Sequence, residues 1–282
     1  MSRRLQLARA CLLAIFVLSG STVIELVVVS GFTERAAQAR ELASFRGQLA
    51  DGTAPLGPTT ADSQPLAAAA PVAYLEIPSI GLKQVVGEGT TPGDLMRGPG
   101  HRRDTPLPGQ VGVSIILGRK AAFGAPFGDI GGLRKGAVIR VTTGQGRFEY
   151  HVLGVRREGA PAPPALKAGG ARLLLATGAG GSFVPSGVLR VDADMTTAAL
   201  PGPAPLVTSQ GLPASEQLMG TDASTLWALA LWLQALVVSA VAAVWAWHRW
   251  GRAQTWVVFV PLLLLLGLAA AEEAARLLPN LL

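Results

Sequence analysis

The sequence predicts an all-β domain flanked by transmembrane α-helices, one before it and two after it, and three observations carry that reading. Half of the 282 residues are hydrophobic and only 15% are charged, giving a mean hydropathy of +0.40, above what a soluble globular domain usually shows. The apolar residues gather in runs at 10–31, 225–247 and 255–271, each meeting or approaching the roughly 20 residues that a helix needs to cross a hydrocarbon core. Between them lie short apolar runs, many alternating, separated by Gly and Pro clusters, with no long amphipathic helix.

Residues 1–31 open with Ser2-Arg3-Arg4 and Arg9 and continue as the first apolar run, interrupted by Glu25. A cleaved signal peptide would need Ala37-Gln38-Ala39 as its cleavage site, far beyond a short apolar core ending at Leu18, so an uncleaved signal anchor fits better. Residues 32–71 comprise a stalk, where Glu34, Arg35, Arg40, Glu41 and Arg46 alternate with Ala, Leu and Phe at helical spacing, and a Pro/Ala-rich linker. A second linker, 198–224, carries Pro201, Pro203, Pro205 and Pro213. The segment 225–271 reads as a transmembrane hairpin whose loop, 248–254, holds Arg249 and Arg252, and a short tail, 272–282, begins with Glu272-Glu273. Basic residues are retained on the cytoplasmic side. Arg3, Arg4 and Arg9 therefore place the N-terminus inside, Arg249 and Arg252 place the hairpin loop inside, and both assignments put 32–224 and the tail outside the plasma membrane. Trp227, Trp232, Trp245, Trp247, Trp250 and Trp256 lie towards the ends of these runs, as an interfacial aromatic belt requires.

The middle segment, 72–197, is long enough for one core. Strands are expected at 74–77, 112–117, 138–142, 148–153, 172–176 and 188–191, with turns at Gly98-Pro99-Gly100, Leu107-Pro108-Gly109 and Gly131-Gly132, and an irregular loop from 152 to 166 around Pro161, Pro163 and Pro164. This spacing suits a β-barrel or a sandwich.

The composition also excludes chemistries. A single cysteine, Cys11, permits no intramolecular disulfide and no cysteine-based zinc site, and His101, His151 and His248 are too scattered for a metal cluster. No metal or other cofactor is expected. The formal net charge of +6 comes from arginines spread along the chain rather than gathered in a patch, which argues against nucleic acid as a partner.

In order along the middle segment stand Leu75-Glu76-Ile77-Pro78-Ser79-Ile80-Gly81-Leu82, Val86-Gly87-Glu88-Gly89, Gly98-Pro99-Gly100-His101, Leu107-Pro108-Gly109-Gln110-Val111-Gly112, Phe123-Gly124-Ala125-Pro126-Phe127 and Val191-Asp192-Ala193-Asp194-Met195. At these intervals they resemble the sortases, the membrane-anchored cysteine transpeptidases of Gram-positive bacteria, and within them the class E group of actinobacteria. The resemblance spans 74–195 and implies a closed sortase-like β-barrel. It also implies a catalytic set in which a cysteine thiolate attacks a peptide carbonyl, a histidine handles protons and an arginine steadies the oxyanion.

This sequence departs from that set. The family's Gly-His-Arg step reads Gly118-Arg119-Lys120, and Arg119 cannot give up its proton to act as a base. The cysteine position holds Gly178, and the arginine position holds Val188, or Gly187 with a one-residue shift. Arg190 lies two residues along, on the same strand face as Val188. Cys11 sits in the anchor, near the cytoplasmic side. What remains is a candidate residual pocket of Arg119, Lys120, Thr177, Ser182, Arg190 and His101.

Three functions follow as expectations. An inactive sortase-like domain would bind or organise a partner, either an active sortase or the sorting signal of a surface protein, with Arg119-Lys120 available to an acidic group. An active enzyme would need Thr177, Ser182 or Ser186 as nucleophile and a base to activate it; the outside histidines are His101, in a turn that suits a structural role, and His151, on a strand. In a membrane-assembly component the spans would act and the barrel would be a spacer.

Overall fold

The structure, a computed structural model, describes residues 3–282 apart from Ala61, Ser63 and Ser182, with the side chains of residues 3–7, 9 and 10 also outside the description. The charges of Arg3, Arg4 and Arg9 on which the orientation argument leans thus lie outside the described residues. The chain forms two compact units, one of 1–30 and 222–278, the other of 31–221 and Pro279–Leu282.

The first unit is helical: α1 (Arg3–Ile24), a π-helical turn (Glu25–Val29), α3 (Leu226–Arg249) and α4 (Arg252–Arg276). Among the described residues, three helices are long and apolar enough to cross a membrane, one N-terminal and two C-terminal. Their mutual packing uses small residues, Ala14, Ala240 and Ala243, alongside Leu236 and Leu263. A Cβ on Gly267 would stand 2.2 Å from the Ser21 hydroxyl, so this glycine is what lets α4 approach α1. Large apolar side chains, Phe16, Leu231, Val257 and Leu265 among them, face outward. Only Trp250 and Gly251 separate α3 from α4, a tighter turn than the sequence pattern suggests; Gly251, at φ 96°, supplies the left-handed backbone conformation. Cys11 is an exposed free thiol on α1.

The second unit is a closed barrel built from β1 (Pro71–Ile77), β2 (Leu82–Glu88), β3 (Gly100–His101), β4 (Gly112–Leu117), β5 (Val138–Thr143), β6 (Gly146–Arg156), β7 (Ala171–Gly180) and β8 (Pro185–Met195). The order around the barrel is β1-β2-β3-β4-β7-β8-β6-β5, with β5 returning to β1. Among the eight strands, β2/β3 and β4/β7 pair in parallel and the other pairs are antiparallel. The interior is filled by alternate residues such as Leu75, Ile77, Ile116, Val141, Leu173, Leu175 and Val191. Closure removes the exposed edges that an open sheet of these strands would present.

Two differences from the sequence expectation have simple causes. β2 and β3 carry Gly87 and Gly100 where a strand pattern would show side chains; a Cβ on Gly100 would stand 2.1 Å from the Gly89 carbonyl oxygen, so the backbones themselves are in contact. β6 continues to Arg156 through a bulge between Val152 and Gly154, which breaks the alternation that marks a strand.

The expected stalk is helical, α2 (Ser30–Ala50), but from Gly31 it belongs to the barrel unit and is docked on it. Gln38 substitutes for a neighbouring strand: its Nε2 donates to the carbonyls of Val85 (3.1 Å) and Arg97 (2.9 Å), and its Oε1 accepts from the Val85 N–H (2.7 Å). Glu41 pairs with Arg97 at 2.8 Å. On the far side of the core, the fully buried Tyr150 hydroxyl accepts the Gly109 N–H at 2.7 Å, and burial pushes its pKa up to about 12.

Candidate functional site

The strand pairing brings together the positions that the sequence singles out. Leu117 at the end of β4 lies opposite Ala176 on β7, and on the other side of β7 Ala176 faces Arg190 and Gly178 faces Val188 on β8. Arg119 and Lys120 follow directly from β4. Because side chains alternate, 176 and 178 project to the outer face of the barrel, while 175, 177 and 179 project inward. Leu175 and Ala179 accordingly belong to the interior cluster, whereas Leu117, Ala176 and Val188 form a separate apolar cluster outside, together with Leu95.

That outer cluster has a fifth fully buried member, Leu281. Residues Pro279–Leu282 lie on the barrel as a closed turn in which the Leu282 N–H donates to the Pro279 carbonyl at 3.1 Å. The Leu281 carbonyl accepts the backbone N–H groups of Gly178 and Lys120, both at 3.2 Å. The Asn280 amide nitrogen donates to the carbonyls of Thr90 and Gln217, each at 2.8 Å. Sequence reasoning missed Thr90, Gln217, Asn280 and Leu281; the only local signal is Pro279, which ends the helix before it.

Arg119 is buried, with 1% of its surface exposed. One Nη donates to the Pro92 carbonyl at 3.0 Å and the guanidinium lies 4.9 Å from the centre of the Phe123 ring. Its Nε has no partner, and it takes part in none of the described salt bridges. Burial brings its pKa down to about 10, so it stays cationic at neutral pH. The Lys120 ammonium donates to the Gly180 carbonyl. Arg119 and Lys120 are thus both engaged by the chain itself.

Thr177 is buried with its hydroxyl unpartnered, on the inward face and away from Gly178. Arg190 is half-buried on the outer face. Ser182 lies outside the described residues. His101 is held elsewhere: its Nδ1 is 2.8 Å from Glu88 Oε2, and its Nε2 is 3.0 Å from the Pro106 carbonyl and 3.2 Å from the Thr105 hydroxyl. Burial opposes its charge, but Glu88, the Pro106 carbonyl and Asp104 outweigh that and hold its pKa above the ordinary 6.5. With both ring nitrogens facing acceptors, neither is offered to a nucleophile. His151 is a half-exposed strand residue 3.4 Å from Glu149. Among the described residues no group of His, Cys, Asp and Glu is arranged to hold a metal ion.

A family model for the sortase domain matches residues 75–177. That match places a sortase domain within the barrel. Its resemblance to Sortase D of Bacillus subtilis (strain 168) amounts to 33% identity over 79 residues, 28% of this chain, and spans 38% of that relative's length. Among solved structures, a Clostridium perfringens Sortase D5 transpeptidase aligns with 57% of this chain and 99% of its own, at 18% identity and a TM-score of 0.46. Sortase E1 from Streptomyces coelicolor aligns with 46% of this chain and 90% of its own, at 23% identity and a TM-score of 0.39.

Chemically, this outer face presents two backbone N–H donors converging on one carbonyl oxygen, an apolar socket and a pair of carbonyls that accept from a carboxamide, and the chain's own turn 279–282 is seated on them. Among the described residues of this outer site, no thiol or hydroxyl is paired with a base.

Proposed function

We propose that this chain is a membrane-anchored, extracytoplasmic sortase-like protein of the class E type that no longer catalyses transpeptidation and acts by binding or organising an active sortase or a surface-protein sorting signal. The observation that carries this reading is the glycine at 178. A nucleophile there would need a side-chain sulfur or oxygen, and the chain's one cysteine, Cys11, lies on α1 in the other unit. The base is missing too, since Arg119 stays a cation at neutral pH, and Val188 supplies no charge for an oxyanion.

The position of residues 279–282 supports the orientation derived from the sequence. Thr221 and Pro279 both belong to the barrel unit although the two C-terminal apolar helices lie between them. An even number of crossings returns the chain to the side it left, so the barrel and the tail share one face of the membrane. With the basic loop inside, that face is the outside of a Gram-positive plasma membrane and α1 is the signal anchor.

Affinity purification of the full chain from gently solubilised membranes, after crosslinking, tests the binding role. Recovery of a catalytically complete sortase or a surface-protein precursor, lost when the barrel's outer face is altered, is the expected result. Recovery that persists after deletion of the barrel but fails when the spans are replaced would instead make the chain a membrane-assembly component.

A further inference from the structure

The turn Pro279–Leu282 occupies the outer groove through three separate subsites. Both hydrogens of the Asn280 amide are used, on Thr90 O and Gln217 O, and its backbone N–H donates to Gly220 O at 2.9 Å. The two walls of that subsite are tied to each other, because the Thr90 hydroxyl donates to the Glu216 carbonyl at 2.7 Å. The Leu281 side chain fills the socket of Leu95, Leu117, Ala176 and Val188. The Leu281 carbonyl takes the N–H groups of Gly178 and Lys120. At this last contact residue 178 matters to the fit: a Cβ would stand 3.0 Å from the Leu281 oxygen, closer than most side-chain carbons come, so the turn would have to give by a few tenths of an ångström.

We propose that this groove is a peptide site for a turned Asn-Leu segment, that the chain fills it in cis with its own Pro279–Leu282, and that Gly178 is the residue that admits the occupant. The inference rests on the reading of the barrel as a binding rather than a reacting domain. It adds the ligand class and a consequence: the glycine that removes the nucleophile is also what makes room for a carbonyl in its place. A neutral carboxamide is required at the first subsite, because two carbonyl oxygens face it and a carboxylate there would have nothing to donate. Covalent attachment supplies the turn at an effective concentration on the order of mM, so a free peptide of modest affinity competes poorly with it.

Hydrogen exchange on the detergent-solubilised full chain tests this. In Asn280→Asp and in Leu281→Ser, segments containing Lys120 and Gly178 should exchange at least tenfold faster than in the wild type, while β5 and β6 stay protected. A synthetic peptide of the sequence of residues 275–282 should then bind the Asn280→Asp chain at least tenfold more tightly than the wild type, and the same peptide with Asp for Asn should not bind. Unchanged exchange in both variants would overturn the proposal, as would equal peptide binding to variant and wild type or equal binding of the Asp peptide. Loss of protection throughout the barrel in both variants would also overturn it, since the turn would then be a strut and not a ligand. Cleavage of a peptide by the chain would refute the inactive-domain reading without altering these exchange rates, so the two failures are distinct.

Discussion

His101 and Arg119 are both basic and both buried in the same barrel, yet their surroundings are opposite. His101 has a carboxylate at 2.8 Å on one ring nitrogen and a carbonyl on the other, and its pKa is raised. Arg119 has one carbonyl and one aromatic ring, an unpartnered Nε, and a lowered pKa. The compensated group braces the fold: it links β3 to the end of β2 and to the loop before β4. The uncompensated one stands at the position where the family resemblance places proton chemistry. A buried charge without a counter-ion costs stability, whereas a paired and hydrogen-bonded one does not carry that penalty alone.

The largest effect should come from removing the compensation. Glu88→Ala leaves a charged or desolvated imidazole without its partner and is expected to cost about 3–5 kcal/mol. Because all six tryptophans lie at or beyond residue 227, fluorescence would report on the helical unit. Pulse proteolysis of the barrel in the full chain is the appropriate measurement. The pH dependence shares this origin. A histidine whose folded pKa exceeds its unfolded value stabilises fully below about 6.5 and loses that contribution as pH rises through the folded value. Barrel stability should therefore fall as pH rises above 6.5, and Glu88→Gln should flatten the fall. A profile equally steep in Glu88→Gln would separate His101 from it.

Tyr150→Phe tests the polar brace on the opposite side of the core. It strands the Gly109 N–H and should cost about 1–3 kcal/mol by the same proteolysis assay. The smallest effect is predicted for Arg119→Met. Loss of the Pro92 hydrogen bond and of the ring contact is offset by relief from burying an unpaired cation, so the change should stay within about 1 kcal/mol. A cost as large as that of Glu88→Ala would mean that Arg119 has a stabilising role equivalent to that of His101.

The contrast also explains which features were legible in the sequence. The alternating strand Val138–Thr143 and the continuous apolar run Leu173-Leu174-Leu175-Ala176 in β7 announce themselves, and the apolar runs that became α1, α3 and α4 do so by length. β2 and β3 do not, because their glycines are there for backbone contact rather than for packing. Arg119-Lys120 reads in sequence as a basic surface step available to an acidic ligand; burial under Phe123 and against Pro92 is a tertiary event with no local pattern. Gly178 stands in sequence where the resemblance places a nucleophile, but its second property, room for the Leu281 carbonyl, depends on a segment far along the chain beyond two apolar helices. Thr177 looks adjacent to the site in sequence and is turned away from it by the strand's two-residue period.

The central claim is that the family's chemistry has been removed while its barrel is kept. The most direct measurement is a cleavage and transfer assay of the purified full chain with a sorting-signal peptide and an amine acceptor, alongside Thr177→Val and Ser182→Ala. The account predicts no product above the level seen without protein, in the wild type and in both variants. Product formed by the wild type and abolished by either substitution would contradict it.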